Sequence, residues 1–236
     1  MTGNEVSAVL IPGFMLDESM WDDLAAHLPA GWNLQRARLE GGASIEDIAR
    51  RIAVEAPERF VLIGFSLGGY VAREIAARFP ERVTALVIIA SSLREDTEEQ
   101  IAQKQAAVRA SSPATFMGLG ARAVARSLHP DRSRDNVLVG RIRAMSAGLG
   151  YTAFATQSAL RRADIPASAI RCPTLVIAGA QDAFRSPEEA VELRDSIPNA
   201  VLEIVDDTGH MIPLEQPEQL AAVISSWVDG VYARPA

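Results

Sequence analysis

Three side chains in this chain could together make an inert alcohol reactive: Ser66, Asp182 and His210. A serine hydroxyl is a poor nucleophile until a base takes its proton, and an imidazole can do that near neutral pH. The imidazole in turn needs a carboxylate to fix its tautomer and to stabilise the cation that forms. The sequence offers one of each in the order Ser, Asp, His: Ser66 in Gly64-Phe65-Ser66-Leu67-Gly68, Asp182 in Gly179-Ala180-Gln181-Asp182, and His210 at the end of Asp206-Asp207-Thr208-Gly209-His210. Asp206, Asp207 and Glu95 compete for the acid's place, although the first two stand uncomfortably close to His210 in sequence. The other two histidines suit simpler duties, His27 among charged positions of a helix and His129 at a helix end in Leu128-His129-Pro130-Asp131.

The elements needed to position Ser66 adjoin it. Phe60, Val61, Leu62 and Ile63 form an apolar run of strand character, and the glycine-flanked serine follows without a loop. A helical pattern then begins at once, with Tyr70, Val71, Ile75 and Ala76 on one face. A serine at the tip of so tight a strand-to-helix turn sits in a strained conformation, and the closeness of strand and helix leaves no room for side chains at Gly64 and Gly68. The Leu67 N–H then lies at a helix N-terminus, aimed where an oxyanion would form. The same turn could instead cradle a phosphate. No lysine follows the glycines and no G-x-G-x-x-G occurs, which disfavours a P-loop and removes the dinucleotide fingerprint.

Around this centre, short apolar runs alternate with amphipathic ones. Strands are predicted at Val6–Ile11, Trp32–Leu39, Phe60–Ile63, Val83–Ala90, Thr174–Ala178 and Val201–Val205, and helices at Ser19–Leu28, Ser44–Val54 (with Asp47 completing a capping box), Ser66–Phe79, Pro187–Ile197 and Pro217–Val228. Strands that are apolar throughout indicate a parallel sheet covered on both faces, hence an α/β fold. From about Leu93 to Ile165 only helix-compatible segments appear, at Thr97–Arg109, Pro113–Leu128, Arg132–Met145 and Tyr151–Arg162. We read residues 93–165 as a helical cap inserted into a core made of residues 1–92 and 166–236, with a frayed end at Arg234-Pro235-Ala236. Most apolar cap residues should pack the insertion onto the core. Met15, Phe116, Met117, Met145, Tyr151 and Phe154 are the candidates to line a substrate pocket.

A chain of 236 residues, 48% hydrophobic, can bury a sizeable core. A net charge of −7, with both signs mixed along the chain, argues against a nucleic-acid surface. No apolar stretch is long enough to span a bilayer, and Met1–Gly13 lacks the pattern of a secretory signal, so a cytoplasmic protein without membrane partners is expected. A single cysteine, Cys172, excludes an internal disulfide and suits packing. With three histidines, a histidine-rich metal site is implausible, and no cofactor is expected. A homodimer is left open.

GFSLGG at the elbow, GAQD, DTGH, and PGF after the first strand together resemble the α/β-hydrolase-fold serine hydrolases over nearly the whole chain. The resemblance implies a mostly parallel twisted sheet, Ser66 as nucleophile, His210 as general base and then acid, Asp182 as its orienting acid, and the backbone N–H groups of Leu67 and Phe14 as oxyanion hole. Many relatives carry His-Gly after the first strand where this chain has Pro12-Gly13. That departure bears on the second oxyanion donor and leaves the triad untouched. The similarity leans towards small capped carboxylesterases and lactonases acting on a small or medium ester through an acyl-enzyme. Thioester cleavage, carbon–carbon hydrolysis and perhydrolysis use the same triad, and a ligand receptor of this fold would retain it. A serine at the elbow argues against haloalkane dehalogenases and epoxide hydrolases, which use aspartate. Arg122, Arg126, Arg141, Arg143 and Arg161 are candidates to hold a substrate carboxylate, each competing with a plain solvated role on the cap helices.

Overall fold

The computed structural model describes residues 5–162 and 167–233. Six parallel strands, β1 (Val6–Ile11), β2 (Trp32–Arg36), β3 (Phe60–Phe65), β4 (Val83–Ile89), β5 (Thr174–Gly179) and β6 (Val201–Val205), form one sheet in the order β2-β1-β3-β4-β5-β6. The chain runs outward from β1 to β2, crosses back to β3, and then proceeds strand by strand to β6. The reversal falls between β1 and β3, where open α/β sheets bind ligands beyond the strands' carboxyl ends.

The alternation of side chains along each strand divides the core in two. Val9, Ile11, Leu62, Leu86, Ile88 and Val176 face one side, where α2 (Ile45–Glu55), α3 (Leu67–Arg78) and α7 (Pro187–Ser196) cover them. Leu10, Val61, Ile63, Val87, Ile89 and Ile177 face the other, under α1 (Asp22–His27), α8 (Ile212–Glu215) and α9 (Pro217–Tyr232). Every residue of β3 and β5 is buried, as continuous apolar runs require. The edge strand β6 departs from that expectation, since Val201 and Ile204 are exposed there. The other edge, β2, stops at Arg36 rather than Leu39, and Arg36 and Arg38 there pair with Asp22 and Glu18.

Between β4 and β5 lies the helical cap: α4 (Glu98–Arg109), α5 (Ala121–Arg126) and α6 (Asn136–Ala159). The two cap helices expected at Arg132–Met145 and Tyr151–Arg162 form as two helical segments within α6, separated at Gly150, whose φ of 76° only a glycine takes without strain. Conversely, the helix expected over Pro113–Leu128 exists only as α5. The residues before it form turns, and α6 holds them through the Ser146 hydroxyl, which accepts from the Leu119 N–H. The Ser19–Leu28 segment likewise divides into a 3₁₀ turn at Glu18–Trp21, capped by Asp17, and the short α1. The capping box at Ser44 and Asp47 forms as expected. Cys172 is buried, and burial pushes its thiol up to about 11, so it packs rather than reacts. Among the described residues no helix is long and apolar enough to cross a membrane. The domain boundary expected at 165/166 and the tail at 234–236 lie outside the described residues.

Candidate active site

Ser66 stands between β3 and α3 with φ 51° and ψ −110°, in the left-handed half of the map that a non-glycine residue occupies only when its surroundings compel it. They do so from both sides. The Ser66 N–H donates to Ile89 O at 2.8 Å, and its carbonyl accepts from the Gly69 N–H at 3.0 Å and the Ser91 hydroxyl at 2.9 Å. The flanking glycines allow the approach. A Cβ on Gly68 would lie 2.3 Å from Ile11 O, and one on Gly64 would lie 2.5 Å from Gly68 O. Leu67 is the first helical residue of α3, so its N–H belongs to the group that a helix leaves without an intrahelical acceptor.

His210 reaches this serine from β6, three strands away. At the usual inter-strand spacing that is about 14 Å, which only a loop folded back over the sheet edge can cover. The loop delivers His210 Nε2 to 2.9 Å from Ser66 Oγ and Nδ1 to 2.7 Å from Asp182 Oδ2. Asp182 is fully buried, and its other oxygen accepts from the Phe184 and Arg185 N–H groups at 2.7 and 2.9 Å. With Nδ1–H donating to this carboxylate, Nε2 is left to accept the serine proton. Phe65 and Phe184 pack against the imidazole at centroid separations of 5.2 and 5.4 Å. The rival acids are occupied elsewhere: Asp207 binds Arg132, Asp206 is exposed, and Glu95 borders a different cavity.

Glu215, which no motif in the sequence singles out, secures the histidine loop to the cap. Its carboxylate is wholly buried and accepts from the N–H groups of Gly209 (3.0 Å) and His129 (2.7 Å) and from the Thr208 hydroxyl (3.3 Å), with Arg132 3.7 Å away. The His210 N–H donates to Ser127 O at 2.8 Å, a second tie between the loop and the cap. Replacing Glu215 with Ala leaves several buried donors without an acceptor, which costs about 3 kcal/mol. For a chain of this size the melting temperature should fall by roughly 10 °C. A Glu215→Ala variant melting within a degree or two of wild type in a calorimetric scan would show that the loop holds without it.

The model of the alpha/beta hydrolase family matches residues 8–223. The chain belongs to that family. Pimeloyl-[acyl-carrier protein] methyl ester esterases are among the similar proteins: one from Aromatoleum aromaticum is 29% identical over 96% of this chain and 100% of its own, and one from Neisseria meningitidis is 30% identical over 94% and 93%. Among solved structures, a thermophilic esterase from Thermogutta terrifontis superposes with a TM-score of 0.81 at 25% identity, covering 98% of this chain and 92% of its own. The enol-lactonase from Burkholderia xenovorans shares the fold, with a TM-score of 0.84 at 23% identity over 96% and 92%. This alpha/beta hydrolase is a carboxylic ester hydrolase of the serine type, acting on an ester or lactone.

The alpha/beta hydrolase centre opens into a cavity of about 360 Å³ between sheet and cap. Ser66 and His210 line it together with Phe14, Leu16, Phe65, Leu119, Val124, Phe184 and Met211, and apart from Ala123 its remaining wall is polar. None of the residues expected to form a substrate pocket lines this cavity. Met15 is fully buried beneath it, its N–H donating to Gln157 Oε1 of α6 at 2.8 Å, a bond that fixes the loop carrying Phe14. Phe116, Tyr151 and Phe154 form a ring cluster that meets Phe14 from behind, Met145 belongs to the core, and Met117 is exposed to solvent. The five candidate arginines also stay off this wall: Arg141 pairs with Asp23, Arg143 donates to Leu119 O, Arg126 lies over Phe184, Arg122 is exposed, and Arg161 borders another cavity. In their place stand Lys104, Arg162 and Arg185, which sequence reasoning missed. Their only signal was a place on a cap helix or beside a site residue, and most surface cations share that.

Proposed function

We propose that this protein is a carboxylesterase that releases a short alcohol from a small or medium acyl group, with Ser66 as nucleophile, His210 as base and acid, and Asp182 as the residue that orients it. Ser66 Oγ attacks the ester carbonyl while His210 Nε2 takes its proton. The Leu67 and Phe14 N–H groups receive the oxyanion, and the histidine returns the proton to the departing alkoxide, leaving the acyl group on Ser66. Water, deprotonated by the same imidazole, then attacks the acyl-enzyme, and the second collapse restores the serine.

The observation that carries this reading is the unbroken line from Asp182 Oδ2 through both ring nitrogens of His210 to Ser66 Oγ, at 2.7 and 2.9 Å. The apolar lining beside the serine suits an alkyl chain, and curated relatives named for a methyl ester support a short alcohol. Methyl hexanoate should be cleaved at least tenfold faster than a medium-ring lactone at equal concentration, and a fluorophosphonate should add its mass to the peptide carrying Ser66. Faster opening of the lactone would transfer the assignment to a lactonase, and labelling at any other residue would remove Ser66 from its role.

A further inference from the structure

The cavity wall opposite the serine carries charges that ester cleavage does not use. Lys104, Arg162 and Arg185 border it with one carboxylate, Asp96. Asp96 is shared: Lys104 Nζ lies 2.5 Å from one oxygen and Arg162 lies 2.9 Å from the other. Arg185 is turned towards Glu189, at 3.3 Å, outside the cavity lining. Arg162 is about nine-tenths buried, stacks over the Tyr70 ring, and its Nε meets no hydrogen-bond partner among the described residues. Two cations thus share one carboxylate, and burial first, then the neighbouring Arg162, lower the Lys104 pKa despite Asp96. Cations held out of bulk water in excess of their partners are costly in proportion to their burial, which is greatest for Arg162, and a ligand anion relieves that cost.

Resting on the esterase reading above, we infer that the substrate carries a free carboxylate at the end of its acyl chain remote from the ester, received by Lys104 and Arg162, with Arg185 adding to the local field. A half-ester of an aliphatic dicarboxylic acid has that form. Its ester end meets Ser66, its methylenes lie along Phe14, Leu119 and Val124, and its carboxylate completes the coordination that Asp96 supplies only in part. Charge-assisted hydrogen bonds of this kind discriminate strongly inside a partly dry cavity.

Monoethyl adipate ends in an anionic carboxylate where diethyl adipate carries a second, neutral ethyl ester, so rates on the diester are counted per ester group. Wild type should show at least a tenfold higher kcat/KM on the monoester, carried mainly by KM. Lys104→Met should lower kcat/KM on the monoester by about 10- to 100-fold, and by far less on the diester. Lys104 is the suitable position because α4 buries none of its residues, so folding should survive. Lys104→Glu should go further and favour a choline ester over the anionic half-ester. Equal use of both adipates by wild type, or equal losses on both in Lys104→Met, would overturn the subsite and leave the esterase intact. Calorimetric titration of monoethyl adipate into Ser66→Ala, with and without Lys104→Met, reads the anion site apart from turnover. Binding that is lost only in the double variant supports the site even if the chemistry proves different, and binding indifferent to Lys104 removes it.

Discussion

Ser66→Ala should lower kcat on p-nitrophenyl butyrate by about 10⁴- to 10⁶-fold while leaving the melting temperature nearly unchanged. The loss is that large because the hydroxyl is the one atom on which the acyl group can reside. The fold survives because the strained turn is held by its backbone. The Ser66 N–H bond to Ile89 O, the Gly69 and Ser91 bonds to its carbonyl, and the close approach of Gly68 to the end of β1 are all independent of Oγ. Alanine meets the same positive φ at a similar steric cost to serine. A variant that keeps more than one hundredth of the wild-type rate, once contaminating wild-type enzyme is excluded by active-site titration, would show that another group attacks the ester.

Asp182→Asn should cost about 10⁴ in kcat with the structure intact, and the hydrogen bonds around the carboxylate give the reason. Asp182 Oδ1 accepts from the Phe184 and Arg185 N–H groups, which can be satisfied only by an oxygen. An asparagine keeps its carbonyl there and must turn its NH₂ towards His210 Nδ1. That nitrogen then accepts instead of donating, so the proton moves to Nε2, which points at Ser66 Oγ and can no longer take the hydroxyl proton. Stopped-flow measurement should show acylation slowed, with no burst of nitrophenol. A loss of less than tenfold would mean that the imidazole is oriented by its neighbours Phe65 and Phe184 rather than by the carboxylate.

Far more of the strand and elbow pattern was legible than of the cavity. The elbow depends on contiguous residues, since a buried strand, two glycines and a helix start leave a single geometry for the serine between them. Asp182 was singled out by its place just past the end of the strand β5 and by the crowding of Asp206 and Asp207 against His210 in sequence. The pocket residues were misassigned because the cap's apolar side chains announce burial without saying against what. Phe116, Tyr151 and Phe154 satisfy that need by packing on one another, and Met145 by joining the core. Glu215 and Gln157 carry no local signature, as their partners are supplied by segments distant in the chain.

The amino-acid order by itself determined which strands form, where the chain must turn sharply, and which three residue types could share a proton, because each follows from periodicity or from steric demands within a few residues. Only the tertiary structure decided that a loop from the far edge of the sheet carries the imidazole back to the serine, and that Lys104 and Arg162 face one cavity across a single aspartate. Those outcomes depend on how a cap of separate helices settles on a finished sheet, where the energy comes from contacts between residues scores of positions apart.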